Sequence, residues 1–476
     1  MKLDLSRRFT QNEKCSSSAN GKPPTQRQSL TVYNLPIELI DQIVGALSDS
    51  DFFALRLVCR DLVRLTYPAF GRKWFSSLDT SLTEADLGRL WRISAHEQLR
   101  MAVRKLRINI SCTPDTRPPK ARLWALAIDF FQRAKGDLII GRSSSSRGLT
   151  STQNPVDSPD LSVNPTLHSI EAGRLMNCTE IQLEYEGDRG NNEDVPGTRV
   201  LHPEALQFML SSVEHGLPVR SFVARLRKTR FIEHPSQQPV RKILASERFQ
   251  SSWTSCLEDL SLDWDAPNMI DILPVTQLVT MAQNLRTLRL LGPIPTYSLV
   301  TLAENTRLPQ VRELTMGIFI WTIPHDSLVQ LIVGMGSRLE ALSLLAPKVD
   351  GDASAWPTVI RGLTKLPKLR KITLFALRQN TTPGKDIIYF CPLLARPEAQ
   401  EDMGFDILPE TLPSRNRVFG VRYHGEGEAM HKALDILADS VCFESWDGNI
   451  DAYLDPRGEY SDVWRWRRFS FYRGFA

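Results

Sequence analysis

Leu257-Glu-Asp-Leu260-Ser-Leu262 is the stretch whose reading decides the fold. Its form recurs as Leu285-x-x-Leu288-x-Leu290, Val311-x-x-Leu314-x-Met316, Leu339-x-x-Leu342-x-Leu344 and Leu369-x-x-Ile372-x-Leu374. The middle residues stand at 260, 288, 314, 342 and 372, so the steps are 28, 26, 28 and 30. Alternation at the end of each copy predicts a buried strand, because side chains on a strand point to opposite faces. Runs such as Ser327 to Met335 and Thr358 to Lys365 have helical spacing and fill the intervals. Weaker copies precede these, at Cys178-x-x-Ile181-x-Leu183 and Val219-x-x-Phe222-x-Ala224. Polar insertions, 186–198 and 233–239, account for their wider spacing.

A strand plus a helix at this period resembles a leucine-rich repeat of the longer kind. The resemblance implies an irregular solenoid over 101–377, since the asparagine that follows the strand in tight repeats is absent. Ala266, Ile294, Ile320, Lys348 and Arg378 stand in its place. After Leu377 the pattern breaks, and 378–418 holds five prolines without a clear strand-helix unit. A strand at Val418 to Tyr423 and a helix at Gly427 to Ala438 follow, with an aromatic tail bearing Trp446, Trp464, Trp466, Phe469, Phe471 and Tyr472. We read 378–476 as an irregular insert and a C-terminal cap over the open end of the repeats.

A different pattern occupies Leu35 to Phe75. Pro36 suits the first turn of a helix, and Leu39, Ile40, Ile43, Val44 and Leu47 share one helical face. Asp49, Ser50 and Asp51 predict a break and a cap, followed by apolar Phe52, Leu55, Val58 and Cys59. A third short helix is expected to carry Leu62, Leu65 and Tyr67 and to end at Pro68. So small a helical unit carries more apolar surface than it can bury, which implies a partner.

Residues 30–76 resemble an F-box. Leu35, Pro36, Glu38, Leu39, Ile43, Leu47, Asp51, Leu55, Arg56, Val58, Cys59 and Arg60 match the family pattern in place, while Gly45 departs from it at a cost of roughly 1 kcal/mol relative to Ala. The resemblance implies docking on a Skp-type adaptor, and through it on a cullin and a RING protein. Leu35, Pro36, Glu38, Leu39, Ile43, Leu47, Leu55, Val58, Cys59 and Arg60 are the expected adaptor-binding residues.

The expected organisation is α/β: a disordered tail over 1–29, the F-box, a helical bridge over 77–100, the repeats and the cap. Within the repeats, a strand is expected at Val103 to Ile108, a helix at Ala121 to Ala134, a strand at Leu138 to Ile140 and a flexible loop over 141–165.

Composition limits the function. The 476 residues are 42% hydrophobic, and 58 Lys and Arg against 54 Asp and Glu leave a net charge of +4, too balanced for a dedicated nucleic-acid binder. The N-terminus has no apolar core of a secretory signal and no run reaches the length of a membrane span, so a cytoplasmic or nuclear location is expected. Seven cysteines, at Cys15, Cys59, Cys112, Cys178, Cys256, Cys391 and Cys442, have neither zinc-site nor disulfide-framework spacing.

Catalytic motifs are missing: there is no GxSxG, Walker-A loop or HExxH. Asp447, Asn449 and Asp451 begin like a calcium loop, but Ala452 and Gly458 occupy the positions that need glycine and glutamate. Asp263-Trp-Asp265 lies at a strand end, and His424 and His431 are not one helical turn apart. No cofactor or metal is expected. The reading is therefore a non-catalytic substrate receptor of an SCF-type ubiquitin ligase, whose repeats hold a target protein. Its rivals are an F-box scaffold without a role in ubiquitylation and an enzyme with its site in 378–418. On the strand face opposite the leucines, Glu180, Glu184, Asp259 and Asp263 form the expected site for a basic target segment, with Arg289, Lys371 and Phe375 along the later strands.

Overall fold

The structure, a computed structural model, describes residues 35–81, 84–111, 172, 174–186, 202–227, 238–264, 274–292, 294, 296–305, 307–317, 322–381, 384–390, 404–407 and 420–445. The expected N-terminal tail, the elements expected at 121–134 and 138–140, the loop 141–165, most of both insertions and the aromatic tail lie outside the described residues. The chain forms two compact units, Met1–Phe70 and Gly71–Ala476.

The first unit holds α1 (Ile37–Ala46), α2 (Asp49–Val58), α3 (Arg60–Leu65) and the start of α4 (Tyr67–Phe75). Pro36 occupies the N-cap of α1, where its carbonyl accepts from the amides of Leu39 and Ile40 at 3.1 and 3.2 Å. The cap of α2 is Ser48, one residue earlier than expected, whose Oγ accepts from the amide of Asp51 at 3.2 Å. Pro68 does not end a helix; it sits in the first turn of α4, where a missing amide hydrogen costs nothing. Ile40, Val44, Phe52, Leu62, Tyr67 and Phe70 form the core.

The second unit is built on two sheets. Strands β1 (Ser77–Thr80), β2 (Lys105–Ser111), β3 (Glu180–Glu186), β4 (Ser221–Arg227), β5 (Asp259–Trp264), β6 (Thr287–Leu291) and β7 (Glu313–Gly317) come first, and β8 is Ile323–Pro324. Then follow β9 (Ala341–Leu345), β10 (Lys348–Asp350), β11 (Lys371–Phe375), β12 (Arg378–Thr381), β13 (Gly384–Phe390), β14 (Phe405–Ile407), β15 (Gly420–His424) and β16 (Val441–Ser445). The larger sheet has eleven strands in the order β1-β2-β3-β4-β5-β6-β7-β9-β11-β15-β14. Every pair from β1 to β11 is parallel; β15 runs antiparallel to both of its neighbours. In the second sheet β8, β10 and β12 are parallel, and β13 and β16 add antiparallel strands.

Register follows the sequence period. Leu260, Leu288, Leu314, Leu342 and Ile372 face one another strand to strand, and each is at most 1% exposed. Helices α5 (Glu84–Ala95), α6 (Glu97–Ala102), α7 (His202–Glu214), α8 (Gln238–Leu244), α9 (Glu247–Cys256), α10 (Val275–Met281), α11 (Thr296–Asn305), α12 (His325–Gly334), α13 (Ala355–Gly362) and α14 (Glu428–Asp439) fill the connections. From α9 to α14 each packs on the next, and Trp253 of α9 donates to the carbonyl of Leu278 on α10 at 2.9 Å. From β1 to β11 the strands keep sequence order, so among the described residues the parallel part of the sheet has no switch point of the kind that forms a ligand crevice in an open α/β sheet.

Two local expectations are corrected. The bridge 77–100 opens with a strand, β1, before its helices: Leu78 and Thr80 are buried while Asp79 is exposed, an alternation too short to stand out in the sequence. The segment after Leu377 contains β12 and β13, which pair with each other, and β14, which pairs with β15; antiparallel pairs of this kind need no LxxLxL pattern. The strand expected at Val418 to Tyr423 and the helix expected at Gly427 to Ala438 are present as β15 and α14, and one further strand, β16, follows them.

Two corners repeat 30 residues apart. Ala346 and Ala376 both adopt φ 51°, turning the chain from β9 into β10 and from β11 into β12. The Ala346 amide donates to the carbonyl of Phe375 at 2.7 Å, which ties one corner to the next strand. Between β7 and β9 the backbones approach so closely that a Cβ on Gly317 would lie 2.1 Å from the carbonyl oxygen of Leu345.

Candidate functional site

Two surfaces carry the candidate residues. On the first unit, Ile40 and Val44 face inward from α1 and leave Ile37, Leu39 and Ile43 outside, at 43%, 43% and 46% exposure. Leu57 and Val58, at the end of α2, are 63% and 71% exposed. Leu39 and Ile43 are one helical turn apart and lie side by side on the outer face. Of the other expected adaptor-binding residues, Pro36, Glu38 and Arg60 are exposed, and Leu35, Leu47, Leu55 and Cys59 are half-buried. Ile37 and Leu57 belong to this apolar surface and escaped the sequence reading, which followed the family pattern rather than the helical face.

Beneath that surface lies a charge. Arg56 is 4% exposed and its guanidinium stands 4.2, 5.5 and 5.7 Å from the ring centres of Phe70, Tyr67 and Phe52. Nη1 donates to Thr66 Oγ1 at 3.0 Å, and Thr66 Oγ1 in turn donates to the carbonyl of Leu62 at 2.6 Å. Burial pulls the Arg56 pKa down to about 10, still cationic at neutral pH, while the Tyr67 hydroxyl is pushed up by burial, with the nearby guanidinium opposing.

The second surface is the sheet face opposite the leucines. Alternation holds, but the face is not a free acidic patch. Glu180 pairs with Lys105 at 2.5 Å, and Glu184 with Arg225 at 2.8 Å and Arg107 at 3.9 Å, each from a neighbouring strand. Asp259 is half-buried, in register between Ser221 and Thr287. Asp263, expected to be exposed, is 3% exposed in register between Arg225 and Leu291. Alternation says which face a side chain takes, not whether that face is covered.

Arg289 lies in register between Ser261 and Thr315, and Lys371 between Ala341 and His424; both are half-buried. Phe375 packs against a small apolar cluster of Leu291 and Leu345 on this same face. The seven expected target residues therefore share a face without forming one continuous exposed site.

Among the described residues no group of three or more His, Cys, Asp or Glu could hold a metal ion, and no helix is long and apolar enough to cross a membrane. No known protein-family model and no curated protein matches the chain.

Proposed function

We propose that this chain is the substrate-recognition subunit of an SCF-type cullin-RING ubiquitin ligase. In this reading the first unit is an F-box that docks on a Skp-type adaptor. The second is an irregular leucine-rich-repeat solenoid, capped at its C-terminal end, that holds a target protein. The observation that carries the proposal is the outward apolar set Ile37, Leu39, Ile43, Leu57 and Val58, three of which, Leu39, Ile43 and Val58, belong to the F-box pattern in the sequence. Each such side chain contributes about 1.5–3 kcal/mol when a partner fully buries it, so the set suits a stable protein interface. The sequence-ordered parallel sheet with its LxxLxL strands in register supports the repeat reading.

The subunit needs no acid, base or nucleophile of its own. It raises the effective concentration of target lysines near a charged ubiquitin-conjugating enzyme, which converts an encounter between separate molecules into one within a complex. The deciding experiment is affinity purification of the tagged full-length chain and of its Leu39→Asp/Ile43→Asp variant. The wild type retains the adaptor and the cullin, and the variant loses both while its melting temperature is unchanged. Adaptor without cullin supports the scaffold alternative, and adaptor retained by the variant removes the F-box assignment.

A further inference from the structure

We propose that the N-terminal edge of the parallel sheet is a docking rail for an Asp/Glu-rich segment of the target protein; the proposal rests on the reading of the chain as a substrate receptor. The residue that precedes each strand takes part in one recurring hydrogen-bond pattern. Its carbonyl accepts from two amides of the next strand: Arg220 from Glu258 and Asp259 at 2.8 and 2.9 Å, Arg286 from Arg312 and Glu313 at 2.7 and 3.1 Å, Glu340 from Arg370 and Lys371 at 2.8 and 2.9 Å. These positions read, from β2 to β11, Arg104, Thr179, Arg220, Glu258, Arg286, Arg312, Glu340 and Arg370. Five arginines thus line up against two glutamates, on a backbone that fixes their spacing.

The arginines are more exposed than the two glutamates of the rail, and Arg370 also pairs with the exposed Glu426 beside it at 3.4 Å. Side chains of Arg220, Arg286, Arg312 and Arg370 are 54–66% exposed, whereas Glu258 and Glu340 are 28% and 39% exposed. Glu258 is shared by Arg220 and Arg286 at 3.6 and 3.2 Å, and Glu340 meets Arg312 at 3.8 Å. Solvent-exposed pairs of this kind hold weakly, so an incoming carboxylate can take either arginine while the recessed glutamates keep the cations upright. At about 4.8 Å per strand, Arg220 to Arg370 spans about 24 Å, the reach of about seven extended residues.

The interruptions identify the occupant. Glu258 and Glu340 repel a continuous polyphosphate at fixed points, but a peptide can set its acids opposite the arginines and leave neutral residues opposite the glutamates. No rail position carries an aromatic side chain, which a single-stranded nucleic acid would use for stacking.

The test is fluorescence anisotropy on the full-length chain with three labelled probes of about ten units: an Asp/Glu/Ser peptide, a Lys/Ser peptide and an oligothymidylate. The acidic peptide binds, with an affinity that falls steeply with salt. Arg286→Glu/Arg312→Glu weakens it about tenfold or more, and Glu258→Gln strengthens it about twofold or more, because the competing carboxylate is gone. Absence of acidic-peptide binding, tighter oligothymidylate binding, or indifference to either variant overturns the rail. Adaptor retention by the same preparations reports on the receptor reading separately, so failure of one does not pass for failure of the other.

Discussion

The guanidinium of Arg56 lies 4.2 Å from the centre of the Phe70 ring and joins α2 to α4 inside the first unit. A lone cation would not survive there without the ring faces and the acceptors on Thr66 and Val63. Arg56→Ala should destabilise this unit by about 3 kcal/mol, from lost cation–π contact, lost charge-assisted hydrogen bonds and a cavity. Arg56→Lys should recover only part of this, since an ammonium lacks the planar guanidinium face that stacks on the rings. Hydrogen exchange of α1 and α2 amides measures it; unchanged protection in Arg56→Ala would mean that the contact is incidental.

The second unit offers a backbone test. Because a Cβ at Gly317 would strike the carbonyl of Leu345, Gly317→Ala must push β7 and β9 apart and should cost about 2 kcal/mol or more. At the corners the sign reverses. Ala376 at φ 51° is half-buried and pays for a left-handed conformation that glycine adopts freely, so Ala376→Gly should gain about 0.5–1 kcal/mol. Urea unfolding of both variants checks the pair of signs.

The leucines of the parallel strands were legible because two periods coincide there, two residues within a strand and about 28 between strands. Strand β1 was not, since Ser77–Thr80 is four residues long with a single leucine. Arg56 stood in the sequence only as a match to the motif, and nothing local reveals that Thr66, Tyr67 and Phe70 return to enclose it. Leu291 and Leu345 fell on the face assigned to solvent, and only the assembled sheet brings them together under Phe375. The arginine rail was hidden for the same reason: its successive members are 26 to 75 residues apart and become neighbours through register alone.

Cys178 supplies a pH-dependent test. Burial pushes its thiol up to about 12, against an ordinary value of 9.0, so the folded state holds a proton that the unfolded state releases. The raised value means that this contribution is fully present below about pH 9 and is lost as pH rises toward 12. At pH 8.5, about a quarter of an unfolded thiol would be thiolate but almost none of Cys178, so iodoacetamide should modify half-buried Cys256 and Cys442 well before it. Mass spectrometry of the alkylated chain with and without urea reads this out; labelling of Cys178 at the rate of Cys256 in native buffer would contradict its burial.

Asp259 and Asp263 stand four residues apart on the same face of β5, yet they should respond differently to charge reversal. Asp259 is half-buried, between the small polar residues Ser221 and Thr287. Asp259→Lys should therefore move stability by no more than about 0.5 kcal/mol. Asp263 is 3% exposed, with Arg225 on one side in register and Leu291 on the other. Asp263→Lys removes a buried carboxylate and sets a second cation beside Arg225, a change that should cost about 3 kcal/mol. Asp263→Asn, which keeps the shape and one acceptor, should fall between them. Thermal unfolding of the three variants orders the two sites. Equal tolerance of lysine at both would mean that Asp263 is reached by water, and would restore it as a surface residue open to a target.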